Sequence, residues 1–344
     1  MFEIIEQQFR RFAPAVDSCS LRWVRSREEI IHVRQNVLQP VSVRHDRGAM
    51  ITITDQGGMG YAATSDLSDG GLKVAIQQAW DWAKCSAACS VVDFRKVVMP
   101  TSQGDYRSHV EKCWDTVPLS AKIEIAGSEC ARLKTDDRIV DWEALLGFIE
   151  EDQCLLTADG GHVYQHLEIL APGLSVTANA GCETVRRRFG GFDLGRQGGL
   201  EILDHIQYTE QAPELSEEVI QLLAAPNCPT GRMDVLLDAD QMYLQIHESV
   251  GHPLELDRIL GDERNYAGTT FVTPDMLRNH YRYGSALMNI TFDPTIGDQL
   301  ATYAFDDDGL QAEKVFIIKD GILQRALGGI TSQVRAGLPG TANS

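Results

Sequence analysis

Apolar and polar residues alternate over two long stretches in the first half of the chain, and that two-residue period predicts β-strands. In residues 20–64, Ile51 and Ile53 alternate with Thr52 and Thr54, while Asp46-Arg47-Gly48 and Asp55-Gln56-Gly57-Gly58 read as turns. Residues 138–188 alternate again, with a hairpin turn at Asp159-Gly160-Gly161 and a break at Gly173. Helical periodicity fills the rest. A short N-terminal helix comes first, and Ser68 or Asp69 then caps an amphipathic helix through Leu72, Val74, Ala75, Ala79 and Trp82. Another runs from Leu119 to about Leu133, with Ile123, Ile125, Ala126 and Cys130 apolar. The expected class is α+β. Residues 1–225 should form an N-terminal domain with a long antiparallel sheet and helices.

The second half reads differently. A helix over Ser216–Ala224 gives way to Ala225-Pro226-Asn227-Cys228-Pro229-Thr230-Gly231, whose two prolines and glycine mark a linker. Residues 232–344 should form a mostly-β domain, with short strands at Met233–Leu237, Leu287–Phe292, Ala301–Phe305 and Lys314–Ile318. Asp308-Gly309 and Asp320-Gly321 supply turns. One helix interrupts these strands. Asp238 with Gln241 makes a capping box for it, and Met242, Ile246, Val250 and Leu254 give it an apolar stripe.

That helix carries the candidate chemistry. His247-Glu248-Ser249-Val250-Gly251-His252 is an HExxxH run, one residue longer than the HExxH of helical zinc sites. Each residue of an α-helix advances about 100°, so an i,i+4 pair lies about 40° apart and an i,i+5 pair roughly 140° apart. Side chains diverging that far cannot share one metal ion. The helix must gain a residue as a π-bulge or else unwind. Gly251 loosens the backbone, and Pro253 removes the hydrogen bond to the Ser249 carbonyl. Lone histidines in apolar surroundings are commonly packed core residues, but Glu248 is awkward as packing, because a buried carboxylate needs partners.

Charge and composition narrow the function classes. The 344 residues carry a formal charge of −18, which opposes phosphate backbones and disfavours direct nucleic-acid binding. The one tight basic run, Arg186-Arg187-Arg188, reads as a solvated edge or a carboxylate-binding patch. No segment approaches the roughly 20 apolar residues of a membrane helix. The opening MFEIIEQQFRRFAP has no signal-peptide core, and the eight cysteines follow no secreted spacing, so a cytoplasmic, reduced protein is expected. Cys85 and Cys89 share a helical face and could in principle bind metal, but read as small buried residues.

The run LDADQMYLQIHESVGHPLELD, together with Phe305-Asp306-Asp307-Asp308-Gly309 and Ile318-Lys319-Asp320-Gly321-Ile322-Leu323, resembles the TldD/PmbA peptidase family. The stretch GGMGYAATSDLSDGGLKVAIQQAW resembles that family's first domain, so the likeness covers nearly the whole chain. HExxxH points to the TldD-like, metal-bearing branch. The resemblance implies a cytoplasmic zinc metallopeptidase acting on unfolded or short peptides, a genetic link to DNA gyrase, and pairing with a PmbA-like partner or self-association. It also implies His247 and His252 as zinc ligands and Glu248 as the catalytic carboxylate. The family's third ligand is a cysteine from a C-terminal stretch, whereas the last cysteine here is Cys228. A shortened chain is therefore expected, with zinc absent or at low occupancy.

Glu255, Asp257, Asp262 and His280 are the substitute ligands to weigh, with Glu255 equally readable as a solvated surface residue. Asp306-Asp307-Asp308-Gly309 lacks the alternating ligand spacing of a calcium loop and reads as a turn. Three functions remain open: a TldD-type zinc peptidase; a metal-poor family member that binds peptides or a partner and regulates without hydrolysis; and a direct gyrase-binding or DNA-associated regulator, whose DNA contact the acidic balance opposes but whose protein contact it allows.

Overall fold

The computed structural model describes residues 2–341 and 343. Helix α1 (Phe2–Phe12) precedes the strands β1 (Ser18–Arg34), β2 (Val37–Leu38), β3 (Ser42–Asp55) and β4 (Gly58–Thr64). Helix α2 (Asp69–Ser86), strand β5 (Gln103–Arg107) and helix α3 (Leu119–Leu133) follow. Two 19-residue strands, β6 (Ile139–Thr157) and β7 (His162–Ala180), lead to β8 (Glu183–Gly190), β9 (Arg196–Gln197), α4 (Glu201–His205) and α5 (Gln211–Leu223). The sheet has nine strands, in the order β4-β3-β1-β6-β7-β5, with β2 beside β1 and with β8 and β9 beside β7. Every pairing is antiparallel except β5 with β7. The expected long antiparallel sheet is present.

Two expected breaks are not breaks. Asp46-Arg47-Gly48 lies inside β3, paired with Val24–Ser26 of β1, and Gly173 lies inside β7, opposite Leu145. Glycine there answers to crowding, not to turning: a Cβ on Gly48 would sit 3.2 Å from the Thr64 carbonyl oxygen, and one on Gly173 would sit 3.1 Å from the Gly191 nitrogen. A turn that no sequence signal marks falls at Gln35 and Asn36, both with positive φ. The Gln56-Gly57 turn also has positive φ at both positions, the geometry of a tight hairpin.

Alternation puts the odd residues of β1 and the even residues of β6 on one face. Helices cover that face at both ends. At one end α1 and α2 bury Ile5, Phe9, Leu72 and Ala79 against Leu21, Trp23, Ile51, Ile53 and Leu156. Ser68 starts α2 by accepting from the Gly71 amide. Cys85 and Cys89, expected to be buried, are both exposed. At the other end α3, α4 and α5 bury Ala126, Leu133, Ile202 and Val219 against Ile31, Val33, Leu146, Phe148 and Val176. Between these two cores runs a charged file of residues paired directly across five strands. It comprises Arg47 of β3, Arg25 of β1, Asp152 of β6, His166 of β7 and Arg107 of β5.

After α5 the chain is exposed from residue 226 through 239 and again from 241 through 248. Met233–Leu237, expected as a strand, has no ladder partner among the described residues, and Leu236 stands fully in solvent. Beyond it come α6 (Ala239–Ile246), α7 (Leu256–Leu260), α8 (Pro274–Arg278), a small sheet of β10 (Ile290–Phe292), β11 (Val315–Lys319) and β12 (Ile322–Leu323), and α9 (Ile330–Ala336). Val250, Leu254, Leu256, Val272, Ile317, Ile318 and Leu323 form a third core. Ala301–Phe305 makes no strand, only one bridge between Phe305 and Gln311. Its backbone is held instead by the large sheet. Gln165 of β7 accepts from the amides of Ala304 and Phe305 and donates to the Phe305 carbonyl, while Gln197 of β9 donates to the Thr302 carbonyl.

Candidate metal centre

Asp238 starts α6, with its side chain accepting from the Ala239 amide instead of closing a box with Gln241. The α-helix holds to Ile246 and then widens. His247–Gly251 is a π turn in which the His252 amide bonds the His247 carbonyl, an i→i+5 link. A 3-10 turn, His252–Leu254, follows with Pro253 at its start. The extra residue rotates His252 back over His247, with ring centroids 4.3 Å apart and planes at 72°. One donor atom each from His247, Glu248 and His252 falls within 4.8 Å of the others. The π-bulge alternative is the one the backbone adopts.

Pro253 leaves the Ser249 carbonyl without its helical donor, and an orphaned carbonyl is costly when buried. Tyr283 supplies the replacement, its hydroxyl donating to Ser249 O at 2.5 Å. No sequence signal links the two, because they lie 34 positions apart. Val250 and Leu254 of the expected stripe anchor the turn in the third core, whereas Met242 and Ile246 are exposed. The motif thus projects from packed structure on one side only. His247 and Glu248 are exposed, and His252 is half-buried.

Glu255 is neither a solvated residue nor part of the cluster. Its Oε1 lies 2.8 Å from His252 Nδ1, and its Oε2 takes the Arg258 guanidinium at 3.0 Å. A carboxylate of this kind only accepts, so the shorter contact favours the neutral tautomer with its proton on Nδ1 and a lone pair on Nε2, with the Arg258 guanidinium 3.3 Å from the same Nδ1. Arg258 is itself largely buried and reaches Glu263 and the Ala267 carbonyl. The i,i+3 spacing of His252 and Glu255 was the available signal. Asp257 caps the Arg258 amide, Asp262 pairs with Arg335, and His280 occupies an exposed positive-φ turn, so none of the three joins the cluster. Asp306 accepts from the amides of Asp308 and Leu310, which makes its acidic run a turn. Arg186 and Arg187 bond Glu143 and Glu218, which is the carboxylate-binding alternative.

Two imidazoles and a carboxylate at this spacing fit a transition-metal ion of the zinc type. The donor set also fits chemically, because a ligand histidine ordinarily gives its second ring N–H to a carboxylate, as His252 does to Glu255.

Comparison with known proteins places this geometry in context. Residues 230–344 match the PmbA/TldA metallopeptidase C-terminal domain, and residues 19–83 match PmbA/TldA metallopeptidase domain 1. A metalloprotease of Methanocaldococcus jannaschii is 24% identical over 86% of this chain and 62% of its own length. A metalloprotease of Methanothermobacter thermautotrophicus is 25% identical over 96% of this chain and 68% of its own. The chain therefore spans only part of its curated relatives, 62% and 68% of the length of these two and 53% of a metalloprotease of Archaeoglobus fulgidus. Its fold is shared with a Thermotoga maritima protein described as a candidate modulator of a DNA gyrase. That TM-score is 0.75 at 15% identity, covering all of this chain and 74% of the other. Matched over just over half of its length by two domains of one family, the chain belongs to the TldD/PmbA family of metallopeptidases.

Proposed function

We propose that this chain is a TldD-like, zinc-dependent peptidase acting on unfolded or short peptides, with His247 and His252 holding the metal and Glu248 as general base. The π turn carries the reading, because it is the backbone device that turns an i,i+5 histidine pair into a convergent one. Zinc, when bound, would supply Lewis-acid polarisation of the scissile carbonyl and acidify water. Glu248, beside His247 and exposed toward solvent, takes the proton from water and returns it to the leaving amine. Glu255 fixes the tautomer and ring plane of His252. Pairing with a PmbA-like paralogue or with a second copy, in the cytoplasm, completes the proposal.

One observation favours a second reading, a metal-poor regulator that binds peptide or partner without cleaving. Among the described residues the cluster contains two histidines and one carboxylate and no third nitrogen or sulfur donor. Metal analysis beside peptide hydrolysis separates the two. Stoichiometric zinc, with cleavage lost in Glu248→Gln but zinc retained, supports the peptidase. Undetectable zinc together with undiminished cleavage in Glu248→Gln overturns it.

A further inference from the structure

Helices cover one face of the large sheet. The opposite face holds a cavity of about 630 Å³, within the range of ligand pockets, and the metal cluster makes no use of it. Ser20, Thr52 and Thr157, paired directly across β1, β3 and β6, form its floor with Arg22, Met50 and Leu155 of the next row. Residues 94–100, between α2 and β5, line it as well, and so do Asp307, Asp308 and Thr331. The cavity therefore lies where the N-terminal sheet meets the C-terminal domain, a common location for binding sites.

We propose that this cavity binds an extended peptide segment carrying apolar and basic side chains. The lining favours apolar groups: Met50, Met59, Val97, Met99, Pro100 and Leu155 all contribute to it. Methionine packs adaptably against varied partners, which suits a site for unrelated sequences. On the floor, Ser20 and Thr52 stand opposite each other, and their hydroxyls have no hydrogen-bond partner among the described residues. They supply polar contacts to a bound main chain.

The backbone beside the cavity points to a peptide and not to a small molecule. Val97 is extended, with φ −95° and ψ 105°, and no regular structure follows until β5. Among the described residues no hydrogen bond engages the amides of Val98 and Met99 or the carbonyls of Val97, Val98 and Met99. Unpaired extended backbone of this kind is a template for an added strand, which gains main-chain hydrogen bonds and offers alternate side chains to neighbouring pockets.

Charge selects among peptides. Asp17 and Asp159 line the cavity, and neither has an ion-pair partner among the described residues. Arg22 is held by Asp307 at 3.0 Å. Arg95 also senses Asp17, but both oxygens of Asp93 already hold it. With Asp308 and the flanking Asp306 and Lys96 counted, six carboxylates stand against three cations. That excess draws in lysine, arginine or a free amino terminus and repels acidic segments.

Calorimetric titration of the intact Glu248→Gln chain, chosen so that peptides stay uncut, tests the site with three octapeptides. One alternates valine with lysine; the second has serine for valine, and the third has glutamate for lysine. We expect a Kd of about 0.1 mM or tighter for the first and binding at least about tenfold weaker for each of the others. Thr52→Arg, made in the same chain, fills and charges the floor and should weaken the first peptide about tenfold or more. No binding up to about 1 mM, or binding unchanged in Thr52→Arg, overturns the proposal. Equal binding of the acidic peptide gives the cavity to uncharged apolar ligands, and equal binding of the serine peptide reduces the contact to bulk charge attraction; either overturns it too. If Thr52→Arg does not fold, Met50→Arg carries the same reading. The inference goes beyond the proposed hydrolysis and does not depend on it, because cleavage of the first peptide by the unaltered chain is read separately.

Discussion

His252 Nδ1 lies 2.8 Å from Glu255 Oε1, and Arg258 holds that carboxylate from its other oxygen. The imidazole is thereby locked with Nε2 as its free donor. A Glu255→Gln change keeps the shape but removes the charge that fixes the tautomer. Zinc affinity should fall about 10–100-fold, the usual cost of losing such a partner, measured by competition with a chromogenic chelator. Unchanged affinity would show that Glu255 does not orient the ring.

Tyr283 stabilises the π turn through the Ser249 carbonyl. Tyr283→Phe should lower stability by about 1–2 kcal/mol, because the acceptor is left without its donor. The denaturant midpoint reports the loss, and an unaltered midpoint would mean that water replaces the hydroxyl without cost.

The Asp152–His166 pair gives stability a dependence on pH. His166 is raised from 6.5 to about 9 by the hydrogen bonds it donates to Asp152 and Glu168, with Arg25, Arg107 and Tyr164 also lining the space around it. Its contribution is complete below about pH 6.5 and is lost as pH climbs through about 9. Burial alone would raise Asp152, but hydrogen bonds from His166 and Tyr164 bring it down to about 2, so its contribution fades only as pH falls through that value. Urea midpoints between pH 6 and 10 should decline in the native chain and flatten in His166→Gln; parallel curves would remove His166 as the cause.

Helix α2 lies against β4 where two glycines allow it. A Cβ on Gly60 would fall 2.2 Å from the Ala79 carbonyl oxygen, and one on Gly58 would fall 2.1 Å from that of Ala83. Backbone cannot yield as a flexible side chain can. Gly60→Ala should therefore destabilise by about 1–3 kcal/mol or more, read as a lowered melting temperature; a variant that melts like the parent would show that the helix can lift off.

The large sheet was legible because alternation survives in strands with one buried face, and the helices at Leu119–Leu133 and from Ser68 onward follow from apolar spacing and a capping serine. The errors have a common source. Gly48 reads as part of a turn and Gly173 as a break, yet both sit in strands where another backbone comes close. Local sequence cannot distinguish a glycine that bends from one that makes room. Met233–Leu237 has β-favouring residues but no neighbouring strand among the described residues, and propensity alone does not make a ladder. At the candidate centre the arithmetic on HExxxH demands a π-bulge or an unwound turn, and only the backbone decides between them; Glu255 is in view in the sequence without its role. Tyr283 was out of reach, because only folding brings it to Ser249.

Strands β1, β6 and β7 each run through both helix-covered cores without interruption. Neither core can melt while the other persists unless those strands fray at mid-length, where the charged file ties them side by side. The sheet therefore works as a shared beam under two separately packed loads, and the N-terminal half should come apart in one cooperative step.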